Sequence, residues 1–277
     1  MSYQRTFSRV APVVLFCLCM AGAARLAAAE EAINNGQDFT RPLTRFDLRF
    51  EYQNAPGSKN DNMNITTFRV DKPFSLSERW ILATRLDVPV VVTDRISNDN
   101  PGGNQHLGTG DVLVQAMLVH TPSPTFAWAL GGQVVFPTAS EDEMGTGRYR
   151  VVPTVGARWT TDNILHGSWF VIGVRWDKDF ASNRRNSTKT NELQFAPTIN
   201  IPLPHNAFIN LFPSADIRYN AGDKRRGDKG RWFVPANIML GKMVRKNVVT
   251  SVEVGIPIIK DYRVYDFKTE FRIGIFF

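Results

Sequence analysis

Cysteine is almost missing from this sequence. The two present, Cys17 and Cys19, both fall within the first 20 of its 277 residues, so no disulfide scaffold holds the rest of the chain. Histidine is scarce as well: His106, His120, His166 and His205 are the whole set, and none stands at a metal-binding spacing. Long apolar runs are absent beyond residue 30, where no window of 18 or more apolar residues occurs. That excludes a bundle of membrane-crossing helices, each of which needs ~20 apolar residues. No phosphate-binding or dinucleotide glycine motif sits between a strand and a helix. What the chain does have is apolar bulk: 43% hydrophobic residues, with 19 Phe, 6 Trp and 6 Tyr, more than a disordered chain carries.

The start of the chain stands apart. Arg5 and Arg9 precede an apolar run from Val10 to Ala24, and Ala27, Ala28 and Ala29 offer small residues for cleavage before Glu30. A basic start, a short apolar core and a small-residue site predict a cleaved secretory signal peptide over 1–29. The run is short for a membrane anchor. No small residue precedes Cys17 or Cys19, which argues against a lipoprotein. Cleavage removes three arginines and no acid, so the formal charge falls from +7 to +4. An exported chain has little occasion to meet nucleic acid, and the charge points instead to solute selection or to anionic lipid.

From residue 43 onward the apolar residues recur at period two, which is the period of a strand. Phe46, Leu48, Phe50 and Tyr52 share one face, and Arg45, Asp47, Arg49 and Glu51 share the other. The signature returns about twelve times, near 43–52, 63–73, 79–92, 110–120, 125–137, 147–160, 167–179, 190–201, 206–219, 230–243, 247–258 and 264–277. Full charges at successive positions suit a water-filled lumen better than the interior of a sandwich. The connections alternate between long polar loops, such as 93–109 and 220–229, and tight turns, such as Phe74–Ser77 and Arg245–Lys246. Alternating segments of ~10 residues, even in number, joined by loops that are long at one end and short at the other, predict an all-β fold. It is a transmembrane antiparallel β-barrel of about twelve strands, after a cleaved signal peptide. Residues 30–42 become a periplasmic N-terminal tail, with a lumenal plug as their other placement, and 43–277 the barrel. Trp80, Trp128, Trp159, Trp169 and Phe277 fall at the expected periplasmic strand ends, and Tyr52, Tyr149, Tyr219, Trp232 and Tyr265 at the outer ends, as interfacial girdles would. Pro153, Pro197, Pro213 and Pro235 fall inside strands and predict bulges or bends, because a closed barrel has no free edge for a missing N–H.

The middle of the chain is more specific. Gly108-Thr-Gly-Asp111 opens one strand, Phe136-Pro-Thr-Ala-Ser140 and Gly145-Thr-Gly147 follow, and Val152-Pro-Thr154 lies in the next strand. Over roughly 108–160 the chain resembles the outer-membrane transporter family named for the MetA pathway of phenol degradation; Ala139 stands where that family usually has glycine. The resemblance implies an outer-membrane channel for small aromatic or hydrophobic solutes. It also gives the final Phe277 a role as the signal read by the barrel-assembly machinery. The glycines and polar residues themselves read first as turn formers.

On this register the lumen collects Arg45, Arg49, Arg69, Arg85, Arg148, Arg150, Arg158, Arg175, Arg218 and Arg272, interleaved with acids such as Asp71, Asp87, Asp111, Asp177 and Glu270 and with Gln115, Gln133 and Gln194. Most are expected to neutralise one another across strands. The surplus is expected at Arg148, Arg150 and Arg158, whose own strand face has no acid. Arg148, Arg150 and Arg158 with Asp111 and Gln133 are the leading pore-lining candidates, followed by Gln115, Arg85 and Arg175, because charge rings in a pore select solutes and an arginine fork matches carboxylate or phosphate. The basic loop Gly222–Gly230 is a candidate contact for lipopolysaccharide phosphates. The expected function is passive passage of small solutes, anionic or aromatic compounds among them, through the bacterial outer membrane, with no cofactor and no catalysis. Two alternatives stand beside it: a structural or adhesive barrel, and a phospholipase-like barrel built on His166-Gly-Ser168, which lacks a third orienting group at a suitable position.

Overall fold

A computed structural model describes residues 34–54, 61–161, 164–183, 187, 189–225 and 227–277. The expected signal peptide, 1–29, lies outside the described residues. The alternating segments form strands β1 (Arg45–Asn54), β2 (Asn62–Ser75), β3 (Trp80–Thr93), β4 (His106–Thr109), β5 (Val112–Ser123), β6 (Phe126–Phe136) and β7 (Arg148–Thr161). They continue as β8 (Ser168–Ser182), β9 (Asn191–Leu203), β10 (Ala207–Leu211), β11 (Ile217–Asn220), β12 (Trp232–Arg245), β13 (Val248–Lys260) and β14 (Phe267–Phe276). β4 and β5 are halves of one crossing, broken at Gly110 and Asp111, and both pair with β3. β10 and β11 are halves of another, and both lie between β9 and β12. The fourteen segments therefore make twelve crossings.

Successive crossings pair antiparallel all the way round, and β1 pairs with β14 over ten residues, from Arg45 opposite Phe276 to Asn54 opposite Phe267. The sheet closes, so among the described residues every crossing has a neighbour on each side, which is the condition for crossing hydrocarbon with strands. Among the described residues no helix is long and apolar enough to cross a membrane.

Alternation then separates inside from outside. Leu86, Leu130, Ile172, Leu240 and Ile256 are exposed on the outer surface, whereas the charged Asp47, Asp87, Asp177, Glu253 and Arg272 are buried inside. A protein folded in water reverses this arrangement; an apolar outer band around a charged interior is what lipid outside and water inside produce.

The prolines behave in three ways. A register shift sits at Val234/Pro235. Pro213 lies in the break between β10 and β11, and Pro197 faces that break, so neither costs a ladder bond on that side. Pro153 keeps its register with β6 opposite Gly132, while the ladder to β8 omits the pairs at 152 and 153 without any shift. At Pro153 the register therefore does not shift, and the two missing pairs with β8 are where the ladder accommodates the proline.

Both aromatic belts form, with two corrections. At the short-turn end Trp80 stacks on His120 at 4.2 Å and meets Trp128 edge-on at 5.5 Å, and Trp159 lies between Phe126 and Phe170. At the long-loop end Tyr149 contacts Phe136 and Phe180, and Trp232 contacts Phe195 and Tyr219. Trp169 and Tyr265 do not join them: they are 3% and 0% exposed. Trp169 has the parity of Val171 and Arg175, which face inward, and Tyr265 precedes β14 on a loop folded against Phe233 and Tyr262.

Leu240 is 58% exposed near the middle of β12. Leu240→Arg is expected to cost about 2–4 kcal/mol, the penalty for a cation at the centre of the bilayer. Denaturant unfolding in lipid vesicles measures it, and an unchanged stability would contradict the assignment of this face to lipid.

Candidate functional site

The lumen is built from rows of residues that the register sets side by side. Arg45, Asp71, Arg85, Gln115 and Gln133 stand opposite one another across five neighbouring strands. Arg45 Nε donates to Asp71 at 2.5 Å, Arg85 Nε to the other oxygen of Asp71 at 2.7 Å, and Gln133 Nε2 to Gln115 at 2.9 Å. One level away Arg69 forks onto both oxygens of Asp87 at 2.7 and 2.6 Å. Arg272 pairs with Asp47 at 3.1 Å and Arg49 with Glu270 at 2.9 Å. On the other side of β1, Glu51, Glu270 and Glu253 lie abreast on β1, β14 and β13. Lys268 answers them, pairing with Glu253 at 2.9 Å and with Asp216. Buried charges need such partners, because an unpaired one keeps the full cost of leaving water.

The surplus expected at Arg148, Arg150 and Arg158 is not there. Arg148 Nε donates to Asp179 at 2.6 Å and Arg150 Nη1 to Asp177 at 2.5 Å, both acids coming from β8 beyond a register shift at Tyr149/Arg150. Arg158 meets Asp38 at 3.2 Å and donates to Thr40 Oγ1 at 2.9 Å. The partners were missed because pairing runs across strands and depends on register and on a distant segment. Asp111 is also occupied. It accepts from Thr146 N at 2.8 Å and from Ala139 N at 3.3 Å, so it fastens the loop after β6 to the rim rather than standing free in the lumen. Gly108 belongs to the same joint: a Cβ there would lie 2.0 Å from Ser140 Oγ.

The lumenal cation without a counter-ion is Arg175. It stands opposite Thr154 and Gln194 and makes no ion pair or hydrogen bond among the described residues. Its strongest charged neighbours are Arg85 and Arg69, which repel it. All three line a cavity of about 220 Å³ whose wall holds seven arginines against two aspartates, with Trp169 and Phe39 as its aromatic surface.

The described part of residues 30–42, from Asn34 on, packs against inward-facing residues of the barrel. Arg41 and Arg158 both hold Asp38, Thr40 is buried, and Arg45 donates to the Gly36 carbonyl. Phe39 packs on Ala83, Met117, Val119 and Ala129. It fits because Gly156 faces Gly173: a Cβ on Gly156 would stand 2.6 Å from the Phe39 ring. Leu43 packs on Phe208, Met239, Met243, Val249 and Phe276 beside it. At the other end Ala139 and Met144 pack on Val91, against Met63 and Ile65 on the inner face of β2. The charged belt thus lies between two apolar closures made by folded-in segments.

Ser168, of the His166-Gly-Ser168 stretch, is fully buried, and its Oγ has no hydrogen-bond partner among the described residues.

Twelve closed crossings, a lipid-facing apolar band and a charged lumen define a transmembrane β-barrel of the outer-membrane type. The chain belongs to the family described as putative MetA-pathway of phenol degradation, whose model matches residues 34–233. Among solved structures the NanC porin superposes with a TM-score of 0.53 at 15% identity, over 84% of this chain and 98% of that one. The KdgM porin, solved in complex with disordered oligogalacturonate, gives 0.50 at 14% identity over 84% and 99%. Outer membrane phospholipase A from Escherichia coli gives 0.46 at 11% identity over 91% and 99%, too low to bear on function. No curated protein matches the chain. At these identities the likenesses are ones of fold.

Asp38→Ala leaves Arg158, 4% exposed, without its counter-ion, at a cost of about 3–5 kcal/mol. Amide protection of residues 34–42 against hydrogen exchange is expected to fall, while that of the barrel strands stays the same. Undiminished protection would mean that this pair does not hold the segment.

Proposed function

We propose that this barrel is an outer-membrane channel through which small anionic solutes, aromatic acids among them, diffuse down their gradient, with residues 34–43 as its inner gate. One observation carries the reading: Arg175, unpaired among the described residues, faces a cavity whose walls are rich in arginine. A guanidinium fork without a partner is matched by a carboxylate or phosphate arriving from solution. Trp169 and Phe39 on the same wall suit an aromatic ring. The buried acidic wall around Lys268 keeps the rest of the lumen neutralised, so the excess is local. The remaining parts of the reading rest on sequence pattern: export by the signal peptide over 1–29, assembly read from Phe277, and lipopolysaccharide beside the basic loop of 222–230.

The test is reversal potential across a planar bilayer under a salt gradient, with liposome swelling on aromatic acids, sugars and phosphates. Anion preference is expected. Arg175→Glu is expected to lower the anion-to-cation permeability ratio several-fold and slow aromatic acids more than sugars, since a ring of opposite charge reverses selection. No conductance and no solute uptake by folded protein would sink the channel reading and leave a structural or adhesive barrel. Conductance with unaltered selectivity in Arg175→Glu would sink the anion site alone.

A further inference from the structure

A second cluster lies at the long-loop end, outside the lumenal belt. His106 opens β4; Glu141 precedes the short helical turn Asp142–Met144 of the loop after β6, and Glu143 lies within that turn. His106 Nδ1 is 2.5 Å from Glu141 Oε2 and 2.9 Å from Glu143 Oε1. A ring nitrogen offers one proton or one lone pair, so it cannot give each of two carboxylates a good hydrogen bond. Two carboxylates brought to one atom also repel each other unless positive charge lies between them. All three potential donor atoms fall within 4.8 Å of one another. Ligands at ~2.0–2.2 Å around a tetrahedral ion stand roughly 3.3 Å apart, so a small outward shift of the side chains makes room for one.

The surroundings have the form of a ligand shell. The Glu143 side chain is 0% exposed, and its second oxygen accepts from Ser97 Oγ at 2.6 Å. An outer partner of this kind orients a ligating carboxylate. Ser97 is in turn fixed by Asp99 N and Asn100 N, each donating to its Oγ at 3.0 Å. The two loops are braced before any ion arrives: Asp142 N donates to Asp99 Oδ2 at 3.1 Å, and Thr109 N to Ser140 Oγ at 3.2 Å. His106 and Glu141 remain 31% and 33% exposed, which leaves a side open for entry and for a water ligand.

We propose that His106 Nδ1, Glu141 and Glu143 bind one divalent transition-metal ion of the zinc class, with solvent as a further ligand. An imidazole in the set selects against calcium and magnesium, which take oxygen ligands. The ion ties the start of β4 to the 137–147 loop, and Ser97 of the 94–105 loop orients the Glu143 ligand.

The full-length chain, folded in detergent and stripped with a chelator, is titrated with zinc chloride by calorimetry and with cobalt chloride by visible absorption. One zinc per chain is expected, with cobalt ligand-field bands that zinc displaces. His106→Gln and Glu143→Gln are expected to abolish stoichiometric binding. Ser97→Ala, which touches no metal, is expected to weaken it about 10–100-fold. Heat-modifiable gel migration and strand circular dichroism confirm that each variant is folded, and Glu141→Gln replaces any that is not. No zinc binding by the native chain would overturn the site, leaving His106 as a simple ion-pair partner. Undiminished binding in folded His106→Gln would also overturn it. The readout is binding rather than passage of solute, so either failure leaves the channel reading intact.

Discussion

Closing the sheet between its first and last strands is the constraint on which the other features rest. Ten residue pairs join β1 to β14. Without them the twelve crossings would end in two unpaired edges, which hydrocarbon does not tolerate. Once the ring is closed, each strand has only an inward and an outward face, and its alternating residues must divide between them. Apolar residues such as Leu130 and Leu240 go out to lipid, and charged residues such as Asp47 and Arg272 go in. The inward charges then crowd into a narrow tube, where desolvation drives them to pair across strands. Arg175, left over by that pairing, gives the lumen its local character.

A tube this narrow also has ends to close. The turn at Asp38–Thr40 and the ring of Phe39 fill one end, seated on small residues of β3, β6 and β7 that leave room for them. The loop after β6, fastened by Asp111 and packed through Met144, covers part of the other. Both closures are segments of chain rather than barrel wall. Their hold is a few hydrogen bonds, ion pairs and apolar contacts, much weaker than the ladder around them. Movement is therefore expected in these segments and not in the strands.

The short motif that resembles the family is explained by this joint. Gly108 is small because Ser140 and Met144 pack where its side chain would be, and Asp111 is acidic because the backbone of the next loop donates to it. These residues mark the family through loop architecture, while the charges that face the cavity belong to other strands. Strand positions, the unequal loops and the lipid-facing set were all legible from period two. Trp169 was legible as well, since its parity matches Arg175, but its position at a strand end suggested a girdle. Tyr265 was not, because a loop residue has no parity to read.

The sequence by itself determined the barrel: alternation over about ten residues, repeated twelve times, has few other ways to satisfy both its faces and its backbone. It also determined which residues turn inward, because side-chain direction is local. Which inward charges meet was decided only by tertiary structure, since cross-strand partners depend on register, on the shift at Tyr149/Arg150 and on the break between β10 and β11. So Arg148, Arg150 and Arg158, free when read along one strand, are paired in the fold, and Asp38 reaches Arg158 from 120 residues away in the chain. The junction of His106 with Glu141 and Glu143 arises in the same way, from the start of β4 and the loop after β6, which lie 35 and 37 residues apart in the chain.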